Sequence, residues 1–437
     1  MRLKTFLCAR TPSSGLVWRW CALAVLGASG STVGFAQRAY TWTEIRDRFL
    51  AVNPTLQAGQ LNVNESRTQE ITAYLRPNPD LTITADGTQI VPNQGVYRPF
   101  SGTTASPSVS YLHERGGKRE LRLESAQRGT AVAQSQQADL ERNQVFGLRN
   151  AFVQALQAKA VLNLARENLA YYDQVLSVSS ERLKAGDIAR VELDRLQLQR
   201  VQYETDVETG STNLRTAKIQ LLALLNDRTP VEQFDVTGPF ENLSEPVLAL
   251  QELRSVALAS RPDLRAAAQA IAKAQTDHQL AFANGAADIT FGTWWTHNGS
   301  FANPYATDTI GANISFPLRI FDRNQGEKAR TELDITRNER LRDANEAQVY
   351  SDVDSAYATV SSNLALLRRY KSVYLDQAAR VRDTIAFSYQ RGGASLLDFL
   401  NAQSDYRTVR LNYLNLVGSY MTAASQLNLA VGREVIP

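Results

Sequence analysis

Three histidines, His113, His278 and His297, are scattered along the chain, and no His-x-x-x-His pair places two of them on one helix face to grip a metal. No nucleophile elbow or phosphate-binding loop occurs. Both cysteines, Cys8 and Cys21, lie in the first 36 residues, so the rest of the chain carries no thiol for a disulfide, a metal site or catalysis. What remains is electrostatic: Glu192 stands six residues after Gly186, and Asp398 six after Gly392. Copies of a carboxylate around one axis make a negative ring that favours cations. An acid at a helix start is also favoured by the macrodipole, so both readings stand. No enzyme, cofactor or metal site is expected.

The 437 residues carry a net charge of +3, too balanced for a nucleic-acid partner. Mean hydropathy is −0.29. After residue 36 no run approaches the roughly 20 apolar residues of a membrane-spanning helix. Residues 1–36 read as a secretory signal: Arg2, Lys4, Arg10 and Arg19, a short apolar core at 21–27, then Gly34-Phe-Ala36 before a cut. The competing reading is a disordered cytosolic extension. No lipobox-like run precedes either cysteine, which argues against a lipid anchor.

The elements that must hold the two carboxylates are written twice. Asn53-Pro-Thr-Leu-Gln-Ala58 matches Arg261-Pro-Asp-Leu-Arg-Ala266 at an offset of 208 (262 minus 54), and Asp80-Leu-Thr82 matches Asp288-Ile-Thr290 at the same offset. Gly186, Glu192 and Gln197 pair with Gly392, Asp398 and Gln403 at 206 (392 minus 186). Such a drift needs only single-residue insertions and predicts a tandem duplication. The boundaries are repeat 1 at about 41–226, a linker rich in proline and turn formers at about 227–247, and repeat 2 at about 248–432.

Each half predicts a short helix, two strands, a very long helix, a tight turn and a medium helix. Leu148, Ala155, Leu162, Leu169, Leu176 and Leu183 recur every seven residues, as do Val353, Val360, Leu367, Tyr374 and Val381. That period implies coiled-coil seams. An uninterrupted helix from 119 to 184 would run about 97 Å, one from 326 to 391 about 99 Å, and in each half two shorter helices stacked end to end nearly match it. The elements describe a long tube with a wall broken at mid-height. An ordinary coiled-coil bundle or filament shares the heptads.

Strands are predicted at about 80–113 and 288–318. Leu81-Thr-Ile-Thr-Ala85 and Val109-Ser-Tyr111 alternate, and Ile310, Ala312, Ile314, Phe316 and Leu318 share one face. Period two gives one greasy and one wet face. Tyr97, Phe100, Trp294, Trp295 and Tyr305 fit an interfacial girdle at the strand ends. Four strands leave open edges, which lipid does not tolerate, so spanning strands require oligomerisation. Three copies supply twelve strands, enough for an aqueous lumen.

Over essentially all of the chain after the signal, the sequence resembles the TolC-like outer-membrane factors of tripartite efflux pumps. The resemblance rests on Asn53-Pro-Thr-Leu56 and Arg261-Pro-Asp-Leu264, Gly116-Gly-Lys118, the run Phe316-Pro-Leu-Arg-Ile-Phe-Asp-Arg-Asn-Gln-Gly326, and the turns at Gly186 and Gly392. The 316–326 run looks most like members paired with heavy-metal cation exporters. The resemblance implies a mainly α fold with a small β part: coiled-coil α-barrel helices and four transmembrane strands per protomer, closed by a homotrimer into a twelve-stranded barrel. It implies a passive exit duct in the outer membrane reaching into the periplasm, with a periplasmic adaptor and an inner-membrane transporter of RND type as partners. A type I secretion exit channel and a non-channel structural or adhesive coiled coil are the alternatives. Carried over, Ala185, Gly186, Asp187, Arg391, Gly392 and Gly393 sit at the periplasmic tip, docking the adaptor or serving only as turns. Asp398 matches a constricting aspartate ring, and Tyr389 a gate tyrosine paired with Glu192. Ala394 stands where family gates have arginine, and Asn401 where they have a second aspartate, so the gate would be latched differently.

Overall fold

The computed structural model describes residues 38–241, 244–245, 248–297 and 307–436; the expected signal, Tyr305 and part of the linker lie outside them. Two helices, α1 (Trp42–Val52) and α2 (Pro54–Tyr74), open the described chain after a short strand β1 (Arg38–Tyr40). Thr41 and Glu44 form a capping box on α1. Asn53 stops α1 and starts α2 through Pro54, accepting from the Leu56 amide at 3.1 Å. Strands β2 (Asp80–Asp86) and β3 (Thr104–His113) precede α3 (Lys118–Ala185), which runs 68 residues, about 102 Å at 1.5 Å each. Helix α4 (Arg190–Leu224) returns.

The cycle then recurs. After β4 (Phe234–Val236) come α5 (Leu250–Ser260), α6 (Pro262–Asn284), β5 (Ile289–His297), β6 (Asp308–Ser315), α7 (Gln325–Arg369), α8 (Leu375–Gln390) and α9 (Leu396–Val431). The single short helix expected to open each half is thus two. Strand β6 also ends before Pro317, which cannot donate to a ladder, so Phe316 and Leu318 lie beyond it.

Helix α3 packs on α2 and α6 towards the sheet and on α4 and α9 towards the turns. The mid-height joints are bridged alike in the two halves. The Asn53 amide donates to the Leu224 carbonyl at the end of α4 at 3.1 Å, and the Arg261 guanidinium donates to the Ala430 carbonyl near the end of α9 at 3.3 Å. Each residue before the proline ties the sheet-side helix to the helix returning from the tip. Arg261 is buried and neutralised by Asp263 and Asp352.

One side of the joint is covered by a parallel pair, β1 with β4, of which β4 falls inside the expected linker of prolines and turn formers and β1 just ahead of the first repeat. Phe234 and Val236 of β4 are buried against Leu148, Phe152, Ala155 and Leu221. Between them Asp235 receives Lys159 at 2.6 Å and Lys218 at 3.0 Å.

Two heptad seams depart from expectation. Leu148, Ala155 and Leu162 are buried, but Leu169, Leu176 and Leu183 are only half-buried, and Ala165, Tyr172 and Ser179 take over. The buried face of α3 steps round where it leaves β4 and meets the cluster of Leu196, Tyr203, Tyr389 and Phe399. In the second half Val353, Val360 and Leu367 are buried, while Tyr374 and Val381 are exposed. The expected continuous helix contains a π turn, Tyr370–Tyr374, whose extra residue rotates everything after it.

The four-stranded sheet is antiparallel in the order β2-β3-β5-β6. Its register aligns Leu81 with Val109, Tyr111 with Phe291, Phe291 with Ile314 and Trp295 with Ile310. The opposite face carries Thr82, Ser108, Ser110 and Asn313. Trp294, expected beside Trp295 in one girdle, lies on this second face over Gly311, where an added Cβ would sit 2.2 Å from its ring. His297 ends β5, its ring Nδ1 hydrogen-bonded to the Asp308 carboxylate at 2.8 Å. At the base of the sheet the buried Lys118 ammonium joins Asp288 at 2.7 Å and the Ala286 carbonyl at 2.9 Å, fixing the start of α3 to that of β5.

Candidate gate at the hairpin tips

Both hairpins reverse through glycine at positive φ. Gly186 ends α3 at φ +84°, and its amide bonds the Leu183 carbonyl at 3.0 Å, while Asp187 N donates to Arg182 at 2.9 Å. Gly392 takes φ +78°, and the Gly393 amide reaches the Ser388 carbonyl at 2.8 Å. A Cβ is strained in that region, so turn geometry alone accounts for these glycines. Ala185, Asp187 and Arg391 are exposed around them, Arg391 stacking over Phe387 at 4.4 Å.

Tyr389 is buried one turn before the second reversal, and its phenol donates to Glu192 Oε1 at 2.9 Å. The sequence brings together a residue of α8 and a half-buried one of α4, each from a different half. Burial, then the bond to Glu192 and its negative charge, push the phenol up to about 12. Two neighbours of the pair were not foreseen. Phe399 stacks on the Tyr389 ring at 4.9 Å, and Arg182 lies over the ring at 5.3 Å while donating to the Tyr389 carbonyl at 3.3 Å. Arg182 is one turn ahead of Gly186, the signal that could have marked it.

Asp398 does not join this cluster. It closes a capping box with Ser395, whose hydroxyl donates to Oδ2 at 2.7 Å and accepts from the Asp398 amide at 3.1 Å. The hydrogen bonds from the Ser395 hydroxyl and backbone hold its carboxyl below the ordinary range, and it remains exposed. Asn401, one turn on, is exposed too. Helix capping and a solvent-facing negative charge therefore coexist in Asp398. No cluster of three His, Cys, Asp or Glu side chains able to hold a metal occurs among the described residues.

A duplicated helical hairpin set beneath a four-stranded sheet is matched by a sequence profile for outer membrane efflux proteins, over residues 45–227 and again over 253–433. The chain belongs to the outer membrane efflux protein family. This outer membrane efflux protein is similar to the cobalt-zinc-cadmium resistance protein CzcC of Cupriavidus metallidurans, 25% identical over 391 residues, covering 87% of each chain. It is also similar to the pyoverdine export outer membrane protein OpmQ of Pseudomonas aeruginosa, 25% identical over 426 residues, covering 91% of this chain and 87% of the relative. A crystal structure of CusC superposes with a TM-score of 0.75 at 18% identity, covering 90% of this chain and 92% of that one, a likeness of fold.

Proposed function

We propose that three copies of this efflux protein assemble into a passive duct across the outer membrane, each donating β2, β3, β5 and β6 to one twelve-stranded barrel. The reading is supported above all by the sheet. Its apolar face is exposed, with Leu81, Ile83, Ile310 and Ile314 each more than half accessible, and β2 and β6 present unpaired edges. Lipid on that face and sister strands on those edges satisfy both. The stretches at about 41–226 and 248–432 act as two copies of one cycle, so three protomers wall the shaft with six hairpin units.

The tips, with Gly186 and Gly392, face a periplasmic adaptor, and the transport energy comes from an inner-membrane transporter of RND type. Tyr389 and Glu192 latch neighbouring hairpins, and three Asp398 side chains ring the entrance, with Asn401 behind them. A duct need not bind its cargo, so metal export requires no ligand cluster in its wall. The test is purification in detergent followed by insertion into planar bilayers. A cross-linked trimer that conducts ions is expected; a monomer that never conducts overturns the reading.

A further inference from the structure

The shaft wall has two unlike faces where α4, α3 and α9 lie side by side. The β4 strand covers one, held there by Lys159 and Lys218 on Asp235. This side also carries Arg166, Arg215 and Glu232. The other is a bare groove of about 730 Å³. Gln157 and Lys159 are two residues apart, about 200° around the helix, so amides and ammonium groups leave α3 in nearly opposite directions. The bare groove mixes polar side chains, Gln154, Gln157, Asn213 and Asn415, with the apolar Val161, Leu164 and Leu411. The amide of Gln157 donates to Asn415 at 2.9 Å. Only two charged side chains line it, Asp206 and Arg407, and they neutralise each other at 2.8 Å.

We infer that the bare face is the lumen wall at mid-shaft, and that it passes solutes of either charge sign, leaving charge selection to the tip. A duct needs its bore clear, and the β1–β4 layer can sit only outside. Amides and hydroxyls exchange hydrogen bonds with hydrated cargo without fixing a net field, whereas an unpaired charge along the bore would bias ion passage. The inference rests on the duct reading and goes further by assigning the face and its selectivity.

Two measurements on the full trimer in planar bilayers test it. Arg407→Gln frees Asp206 and is expected to shift the reversal potential under a KCl gradient towards cations. Asp206→Asn shifts it towards anions, and the double variant returns to the parent value. Singles that leave it unmoved overturn the inference. Should these variants not assemble, the second measurement decides, since no cysteine follows Cys21. Gln154→Cys and Asn213→Cys, treated with sulfonatoethyl methanethiosulfonate, are expected to lose conductance, while Asn163→Cys and Arg215→Cys on the covered face do not. The reverse pattern, or no response at all, overturns the inference while a conducting parent keeps the duct reading. A parent that never conducts overturns both.

Discussion

Tyr389 in α8 and Glu192 in α4, residues from different halves of the chain, meet in one 2.9 Å hydrogen bond while the Tyr389 ring stacks on Phe399. The bond is the polar part of the contact and the stack its apolar part, so they are separable. Tyr389→Phe keeps the stack and removes a hydrogen bond to a charged acceptor, about 1.5–3 kcal/mol. If the pair holds the tip closed, the open-to-closed ratio rises roughly tenfold or more. Single-channel open probability measures this, and an unchanged value would show that the latch lies elsewhere.

The same pair predicts an alkaline response. The Tyr389 phenol is raised from its ordinary 10 to about 12, so its contribution is complete below about 10 and is lost as pH rises through about 12. Open probability is expected to climb over that interval in the parent protein. The Tyr389→Phe variant, with nothing to ionise there, should be open already and show no climb. Tyr172, Tyr203, Tyr413 and Tyr420 are also raised by burial, so global unfolding reports on all five and cannot replace the channel readout.

Much of this architecture was legible because its signals are periodic. Heptads marked the long helices and alternation marked the strands, but one short helix was expected where Pro54 and Pro262 each divide two. What escaped depended on tertiary partners. The β1–β4 pair joins short segments far apart in sequence, anchored by Phe234 and Val236 and by Tyr40 stacked on Phe234 at 5.5 Å. The carboxylates at Glu192 and Asp398 align in the repeat yet do different work, one accepting from a buried tyrosine and the other capping its own helix. Position in a repeat does not encode which neighbour arrives.

The π turn at Tyr370–Tyr374 accounts for the register of everything beyond it, Tyr389 included. Deleting Ser372 should convert it to α-helix and turn α8 by about 100°. With Glu192→Cys and Tyr389→Cys in a chain that has no cysteine after Cys21, a short bis-maleimide is expected to cross-link the two hairpins. Adding the deletion should abolish the cross-link while the trimer still forms. A cross-link that survives the deletion would mean that the turn does not set the gate.

Ile314 lies on the apolar sheet face beside Phe291 and is 65% exposed. For a lipid-facing site near mid-membrane, Ile314→Arg costs about 2–4 kcal/mol per protomer. Thr82→Arg, on the opposite face, should cost far less. Heat-modifiable mobility and urea unfolding in lipid vesicles compare them, and equal losses would place water on both faces.

Asp398 separates charge from capping. Asn keeps an acceptor for Ser395, so Asp398→Asn leaves the start of α9 intact while removing an exposed negative charge. Cation preference in a salt gradient should fall as far as with Asp398→Ala. Ser395→Ala, by contrast, should weaken the helix start and leave the preference in place. Because Ser395 lowers the carboxyl, preference should persist through the ordinary carboxylate range as pH falls and disappear only below it. In Ser395→Ala that loss moves to higher pH. Equal selectivity in Asp398→Asn and the parent would leave the carboxylate with its helix-capping role alone.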